Sequence, residues 1–267
     1  TAMGNYAMQY NTTGAKNVSI GTHTMRYNNA SNNTASGYQA MYQNSSGASN
    51  TAYGAHALHA AQTASNNTAV GYVAMCKNST GFRNTAIGAT ALFNNTTGQQ
   101  NTASGYYAQG GSTTGSANTS SGYWALGKNS TGSYNVAFGA WALFCNTTAS
   151  NNTAVGKNAL KVNTTGASNT ALGRASLISN TTASNNTAVG EVALYNNTTG
   201  PSNTAVGQGA LYANTTGGCN TASGRYALKA TTTGGNNTAF GHFALCSNTT
   251  GGCNTGLGRR ALRANTT

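Results

Sequence analysis

Apolar residues return along this chain on a fixed cycle that is neither helical nor strictly alternating. Aligned on Asn-Thr-Ala-x-Gly, a glycine recurs from Gly4, Gly21, Gly37 and Gly54 through Gly258, at intervals of 17 with one of 16 between Gly21 and Gly37. The unit reads N-T-A-x-G-x-x-A-L-x-x-N-T-T-G-x-x about sixteen times. Two helices do not fit in so short a unit, and Gly, Asn and Thr are poor helix formers. Strands and tight turns do fit. Asn-Thr-Ala-x-Gly predicts one short strand and Ala-Leu with its flanks a second. Asn-Thr-Thr-Gly predicts the return turn, since Asn and Gly tolerate positive φ. The predicted fold is therefore all-β, a parallel β-solenoid (β-roll or β-helix) of about sixteen 17-residue coils with two short strands per coil.

Coils stacked at about 4.8 Å would make a rod roughly 75 Å long in which like residues form columns. The ninth-position column, Met8, Leu58, Leu92, Leu143, Leu177 and Leu211 among its members, is the candidate core, flanked by two small Ala columns. Asn at the first position, as in Asn17, Asn33, Asn50 and Asn67, has two readings: a buried amide ladder, or a turn residue kept for backbone reasons. Two irregularities stand out. Gln109 replaces Leu and is followed by Gly110, Gly111 and Ser112, predicting a bulge or weak coil; a residue missing near Asn28 to Asn32 predicts a shortened turn.

The fourth position alternates between apolar residues and Ser. Met3, Ile20, Val70, Ile87, Phe138, Val155, Leu172, Val189, Val206, Phe240 and Leu257 share it with Ser36, Ser104, Ser121 and Ser223. On a strand it points opposite to the third-position Ala. With Ala inside, an apolar stripe faces out, and a stripe of that length calls for a partner surface. With the fourth position inside, each Ser would be a hole in a thin core. The first arrangement is the better supported, and it makes Ile20, Val70, Ile87, Phe138, Val155, Leu172, Val189, Val206, Phe240 and Leu257 the candidate oligomer stripe.

Composition then removes most chemistry. Glu191 is the only acidic residue against 13 Lys and Arg, for a formal charge of +12. Paired-carboxylate hydrolysis, an acid-oriented triad and carboxylate metal sites all need acids this chain lacks. His23, His56, His59 and His242 are scattered, and the five Cys show no CxxC spacing, so no metal site, cofactor or catalytic set is expected. A non-enzyme is the expectation. Cys219 and Cys253 share a column two coils apart, roughly 9.6 Å, too far for a direct disulfide. No run of 18 apolar residues exists and no signal-peptide pattern opens the chain, so membrane insertion is not expected.

Asn67-Thr68-Ala69-Val70-Gly71, Asn84-Thr85-Ala86-Ile87-Gly88 and Asn203-Thr204-Ala205-Val206-Gly207 resemble the head repeat of trimeric autotransporter adhesins, a left-handed β-roll of three chains about one axis. Similar repeats are found in phage tail-fibre-like and large surface fibre proteins. The resemblance implies an extracellular, cell-surface or virion-surface fibre. This unit is longer than the usual head repeat by its Asn-Thr-Thr-Gly turn and carries no neck, coiled-coil stalk or anchor, so trimerisation does not follow from it.

Variation concentrates at the sixth, seventh, tenth and eleventh positions, where Tyr106, Tyr107, Tyr123, Trp124 and Trp141 are candidates for surface binding. Aromatics on a rigid edge suit sugar stacking; their other reading is as covers for the fourth-position Ser, since Ser104 precedes Tyr106 and Ser121 precedes Tyr123. Arg225, Lys229, Arg259, Arg260 and Arg263 gather late in the chain. They would attract surface polysaccharide or serve solubility, while no nucleic-acid module is recognisable. The expected function is a structural or adhesive fibre segment, a homotrimer or filament. A self-assembling extracellular filament subunit is the alternative, and an ice-binding solenoid with an incomplete Thr array the second. Both ends fall inside a repeat, as expected of one array (residues 1–267) cut from something longer.

Overall fold

The computed structural model describes all 267 residues and is all-β, a parallel β-solenoid with no helix. It comprises two compact units, Thr1–Tyr134 and Asn135–Thr267. Eight strands, β1 (Ala2–Met3) to β8 (Thr119–Ser121), belong to the first unit; eight more, β9 (Val136–Phe138) to β16 (Thr255–Leu257), belong to the second. Within each unit every strand pairs in parallel with the next one along the chain, in a register that sets Ala on Ala, as Ala52↔Ala69 and Ala171↔Ala188.

Each coil carries one strand, not two. The Ala-Leu segment is a turn, because the seventh and ninth residues lie in the left-handed region: His56 at φ 55° and Leu58 at 52°, Ala175 at 56° and Leu177 at 49°. A strand cannot pass through such values. The backbone is nonetheless satisfied between coils, since the Leu58 amide donates to Ala74 O at 2.9 Å and that of His56 to Tyr38 O at 2.9 Å. Opposite directions of donation knit each coil to both neighbours, so a non-strand segment loses no pairing. Left-handed non-glycine residues are uncommon, and β-branched ones such as Val73 (φ 49°) are outliers that only the surrounding register holds in place.

The fixed glycine opens this turn. Gly71 has φ 137°, and a Cβ there would sit 2.5 Å from Gly88 O of the next coil. Conformation and stacking distance both demand the bare backbone.

The core is thin and repetitive. In coils stacked on both sides, third-position Ala, eighth-position Ala and ninth-position Leu or Met are fully buried, as Ala86, Ala91 and Leu92 are, whereas Met8 in the first coil is half-buried and Leu262 in the last is exposed. Beside them lie two buried asparagine columns that work differently. First-position Asn accepts chiefly from backbone, the Asn50 amide donating to Asn33 Oδ1 at 2.8 Å and that of Asn67 to Asn50 Oδ1 at 2.9 Å. It also forms longer side-chain rungs, as Asn67 Nδ2 to Asn50 Oδ1 at 3.2 Å and Asn101 Nδ2 to Asn84 Oδ1 at 3.1 Å. Twelfth-position Asn forms a side-chain ladder, with Asn180 Nδ2 donating to Asn163 Oδ1 at 2.8 Å and Asn197 Nδ2 to Asn180 Oδ1 at 3.0 Å. Each twelfth-position amide also closes its own turn, as Asn44 does by accepting from the Gly47 amide and donating to Gly47 O.

Coil seven is not a bulge. Thr102, Ala103 and Ser104 pair in register with Thr119, Ser120 and Ser121, and Gln109 keeps the left-handed φ of its column at 50°. Its buried Nε2 donates to Ser120 Oγ at 3.0 Å, so a Gln–Ser pair stands where Leu and Ala stand elsewhere. The short coil loses its residue in the return turn, and Val18, Ser19 and Ile20 remain in register with Thr34, Ala35 and Ser36.

Candidate functional site: outward columns and their ladders

Burial of Ala at the third position turns its neighbours outward. Ile20, Val70 and Ile87 are exposed in the first unit; Phe138, Leu172, Val206, Phe240 and Leu257 are exposed in the second, where Val155 and Val189 are half-buried. The exposed fraction of Ile87 is 48% and that of Phe240 46%, large values for apolar side chains in the middle of a sheet. Second-position Thr lines the same face. The four Ser at the fourth position, Ser36, Ser104, Ser121 and Ser223, are half-buried.

Four of the five aromatic candidates come together in the first unit. Tyr106 and Tyr123 stack with centroids 5.6 Å apart, Tyr107 and Trp124 with centroids 4.0 Å apart, and Tyr106 lies 6.3 Å from Trp124. Rings that stack on each other offer edges rather than open faces, which reduces what a sugar ring would find there. Trp141 belongs to the second unit, edge-on to Phe144 at 4.8 Å with Lys161 Nζ 5.3 Å above its ring.

A second aromatic cluster escaped the linear reading. Tyr6 stacks on His23 at 5.1 Å, Tyr10 on Tyr27 at 5.0 Å and Tyr42 on His59 at 5.2 Å, while the Arg26 guanidinium lies 5.3 to 5.4 Å from the rings of Tyr6, Tyr10 and Tyr27. His56 and His59 lie 5.5 Å apart, and burial, then the charge of His56, pushes the His59 pKa down. No third His, Cys, Asp or Glu joins them to form a metal-binding group. The usable signal was position within the unit rather than position in the chain, because residues one repeat apart become stacking partners.

Charge is similarly organised by column. Glu191 is exposed at its carboxylate and held by Arg174, whose Nε donates at 2.8 Å; this partner keeps the Glu191 carboxyl below its usual range. Arg225, Lys229, Arg259, Arg260 and Arg263 are exposed and gather on one corner of the last three coils. Cys219 and Cys253 are exposed thiols, whereas Cys76, Cys145 and Cys246 are half-buried.

The Asn-x-Thr sequons read differently in three dimensions. Asn95 and Asn163 are fully buried twelfth-position ladder residues, so a glycan on either would displace the turn that it closes. No protein-family model, curated protein or solved structure matches the chain.

Proposed function

We propose that this chain is a non-enzymatic fibre segment of an extracellular, cell or virion surface, which self-associates through its fourth-position stripe. The observation that carries the proposal is the outward run of Ile20, Val70 and Ile87 in one unit and Phe138, Leu172, Val206, Phe240 and Leu257 in the other. Single exposed apolar residues are ordinary, but where the column is unbroken by Ser, as from Phe138 through Val155, Leu172 and Val189 to Val206, it forms an apolar run that water solvates poorly. The near absence of acids supports a structural rather than catalytic role, and the head-repeat resemblance agrees with a fibre.

Native mass tests this directly. Sedimentation of the wild type is expected to give a discrete oligomer held together by the stripe. A Val70→Asp, Ile87→Asp, Val206→Asp variant is expected to sediment as monomer with its circular dichroism retained. A wild-type monomer at the highest soluble concentration would overturn the proposal, and open-ended growth would replace it with the filament.

A further inference from the structure

We propose that the basic corner of the last three coils is a binding site for an anionic polysaccharide, one bearing sulfate or carboxylate groups. This rests on the surface-fibre reading, and names the ligand class that such a surface would meet.

The sixth, seventh and tenth positions share a corner of the coil. Arg225 lies 4.8 Å from the Tyr226 ring centroid, Lys229 Nζ 4.9 Å from the same ring, and Arg263 5.7 Å from the Phe243 ring. Sequence separations of 34 place Arg225 and Arg259 in one column and Lys229 and Arg263 in another. Two coils at about 4.8 Å each set both pairs about 9.6 Å apart, so four cations mark the corners of a small rectangle. Arg260 adds a fifth charge. His242 lies between the arginine rows and feels them: burial first, then Arg225, Arg259 and Arg260, lowers its pKa. It therefore contributes a hydrogen-bonding imidazole to the row, while the arginines and Lys229 carry the charge.

No carboxylate balances this corner. The single acidic side chain, Glu191, is engaged with Arg174 and with Gln208 Nε2 at 3.3 Å. Arg225 donates only to Gln208 Oε1 at 3.0 Å, which leaves most guanidinium donors for a ligand. A solubilising charge needs no such arrangement, whereas a repeating polyanion gains from cations at a fixed interval, each displacing counterions.

The shape selects among polyanions. No pocket opens beside these side chains, which suits an extended polymer lying along the open corner better than an enclosed small ligand. Single-stranded nucleic acid binds through bases stacked on open aromatic faces. Here Tyr226 is occupied by Arg225 and Lys229, and Phe243 by Arg263 and His242 at 4.3 Å. With stacking platforms taken, a polymer recognised by its anions alone is the better fit.

The test is calorimetric binding of dextran sulfate to the intact protein, beside neutral dextran and a single-stranded oligodeoxynucleotide of equal charge. Arg225→Ser, Lys229→Ser, Arg263→Ser is compared with a control that also removes three exposed charges, Lys16→Ser, Arg83→Ser, Lys157→Ser. The cluster variant is expected to bind dextran sulfate at least about tenfold more weakly, and the control within about twofold of wild type, with wild-type affinity falling steeply between about 50 and 200 mM salt. Equal losses in both variants would reduce the site to net charge and overturn it. So would tighter binding of the oligodeoxynucleotide, binding of neutral dextran, or no binding to dextran sulfate. Repeating the titration on a variant carrying only Val70→Asp and Ile87→Asp, both in the first unit, separates this result from oligomerisation, because no charge is placed beside the basic corner there.

Discussion

Asn95 Oδ1 and Ser112 Oγ occupy one buried column a single coil apart, and neither has a hydrogen-bond partner. The twelfth-position ladder explains the pairing of defects. Where Asn follows Asn, as Asn163 follows Asn146 and Asn180 follows Asn163, the carbonyl is satisfied by the amide of the following coil, and at Ser112 that amide is missing. Asn44, which is followed by Ala61, accepts from the Gly47 amide instead. The same break recurs where Thr231 follows Asn214, whose Oδ1 is also unpaired; Thr231 escapes by donating to Asn248 O at 3.0 Å.

Ser112→Asn is therefore expected to stabilise. The new amide would donate to Asn95 Oδ1 and to Gly115 O, the pattern that Asn163 shows with Asn146 Oδ1 at 3.0 Å and Gly166 O at 2.9 Å. Satisfying a buried acceptor is worth about 1–2 kcal/mol. Denaturant unfolding should move to a higher midpoint, and an unchanged or lower midpoint would count against the ladder as a stabilising element.

Gln109 and Ser120 should behave as a unit. Gln109→Leu alone leaves Ser120 Oγ buried without its donor, and Ser120→Ala alone removes one acceptor from Gln109 Nε2. The double variant restores the Leu–Ala core of neighbouring coils and relieves the unpaired Gln109 Oε1. A double-mutant cycle is expected to show coupling of about 1 kcal/mol or more, with the double variant more stable than either single. Simple additivity would refute this.

Gly71→Ala tests the turn. Its φ of 137° and the 2.5 Å approach to Gly88 O allow no Cβ, and the loss should reach about 3 kcal/mol or more, since strain and a broken coil-to-coil bond combine. Thermal melts followed by circular dichroism would show it.

Stability should fall on mild acidification. The pKa of His59 is lowered by burial and His56, and that of His242 by burial and its arginine neighbours. Both groups thus bind protons more readily in the unfolded chain than in the folded one. Their contribution is complete above the ordinary histidine value near 6.5 and is lost as pH drops from there through the lowered folded values. Melting temperature measured from pH 7.5 to 5 is expected to decline, and His59→Gln should flatten the decline. A melting temperature that rises on acidification would contradict the assignment.

Thiol labelling offers a check on the coil register. Cys219 and Cys253 are exposed in one column and should react with a maleimide well before Cys76 and Cys246, whose thiol pKa values burial pushes up. Peptide mass mapping reads the order directly.

Much of this architecture was legible in the repeat, for identifiable reasons. A strict period with Ala, Leu and Asn at constant places can bury those residues only by stacking coil on coil, so the parallel register and the outward fourth position followed from the pattern. The second strand did not materialise because Leu and Met in this fold sit at positive φ, a choice their own preferences oppose and inter-coil hydrogen bonding enforces. Gln109 looked disruptive because its partner Ser120 lies in the next repeat. The basic group late in the chain was legible, but the N-terminal aromatic cluster was hidden for the same reason as Ser120: Tyr6 and His23 are remote in sequence and become neighbours only when the chain is wound.

Coil-to-coil bonding of this kind makes size a countable property. Within a unit every coil presents the donors and acceptors it receives, as in the repeated Thr-to-Asn bonds of Thr51 to Asn67 O and Thr68 to Asn84 O. Removing or duplicating one whole coil leaves the surviving junctions chemically unchanged, whereas a partial deletion throws later residues out of their columns. The single 16-residue interval marks where the return turn alone tolerates less than a whole step. Gene slippage in multiples of one repeat would thus yield longer or shorter solenoids that fold by the same rules, so coil number can change without altering the chemistry within a coil.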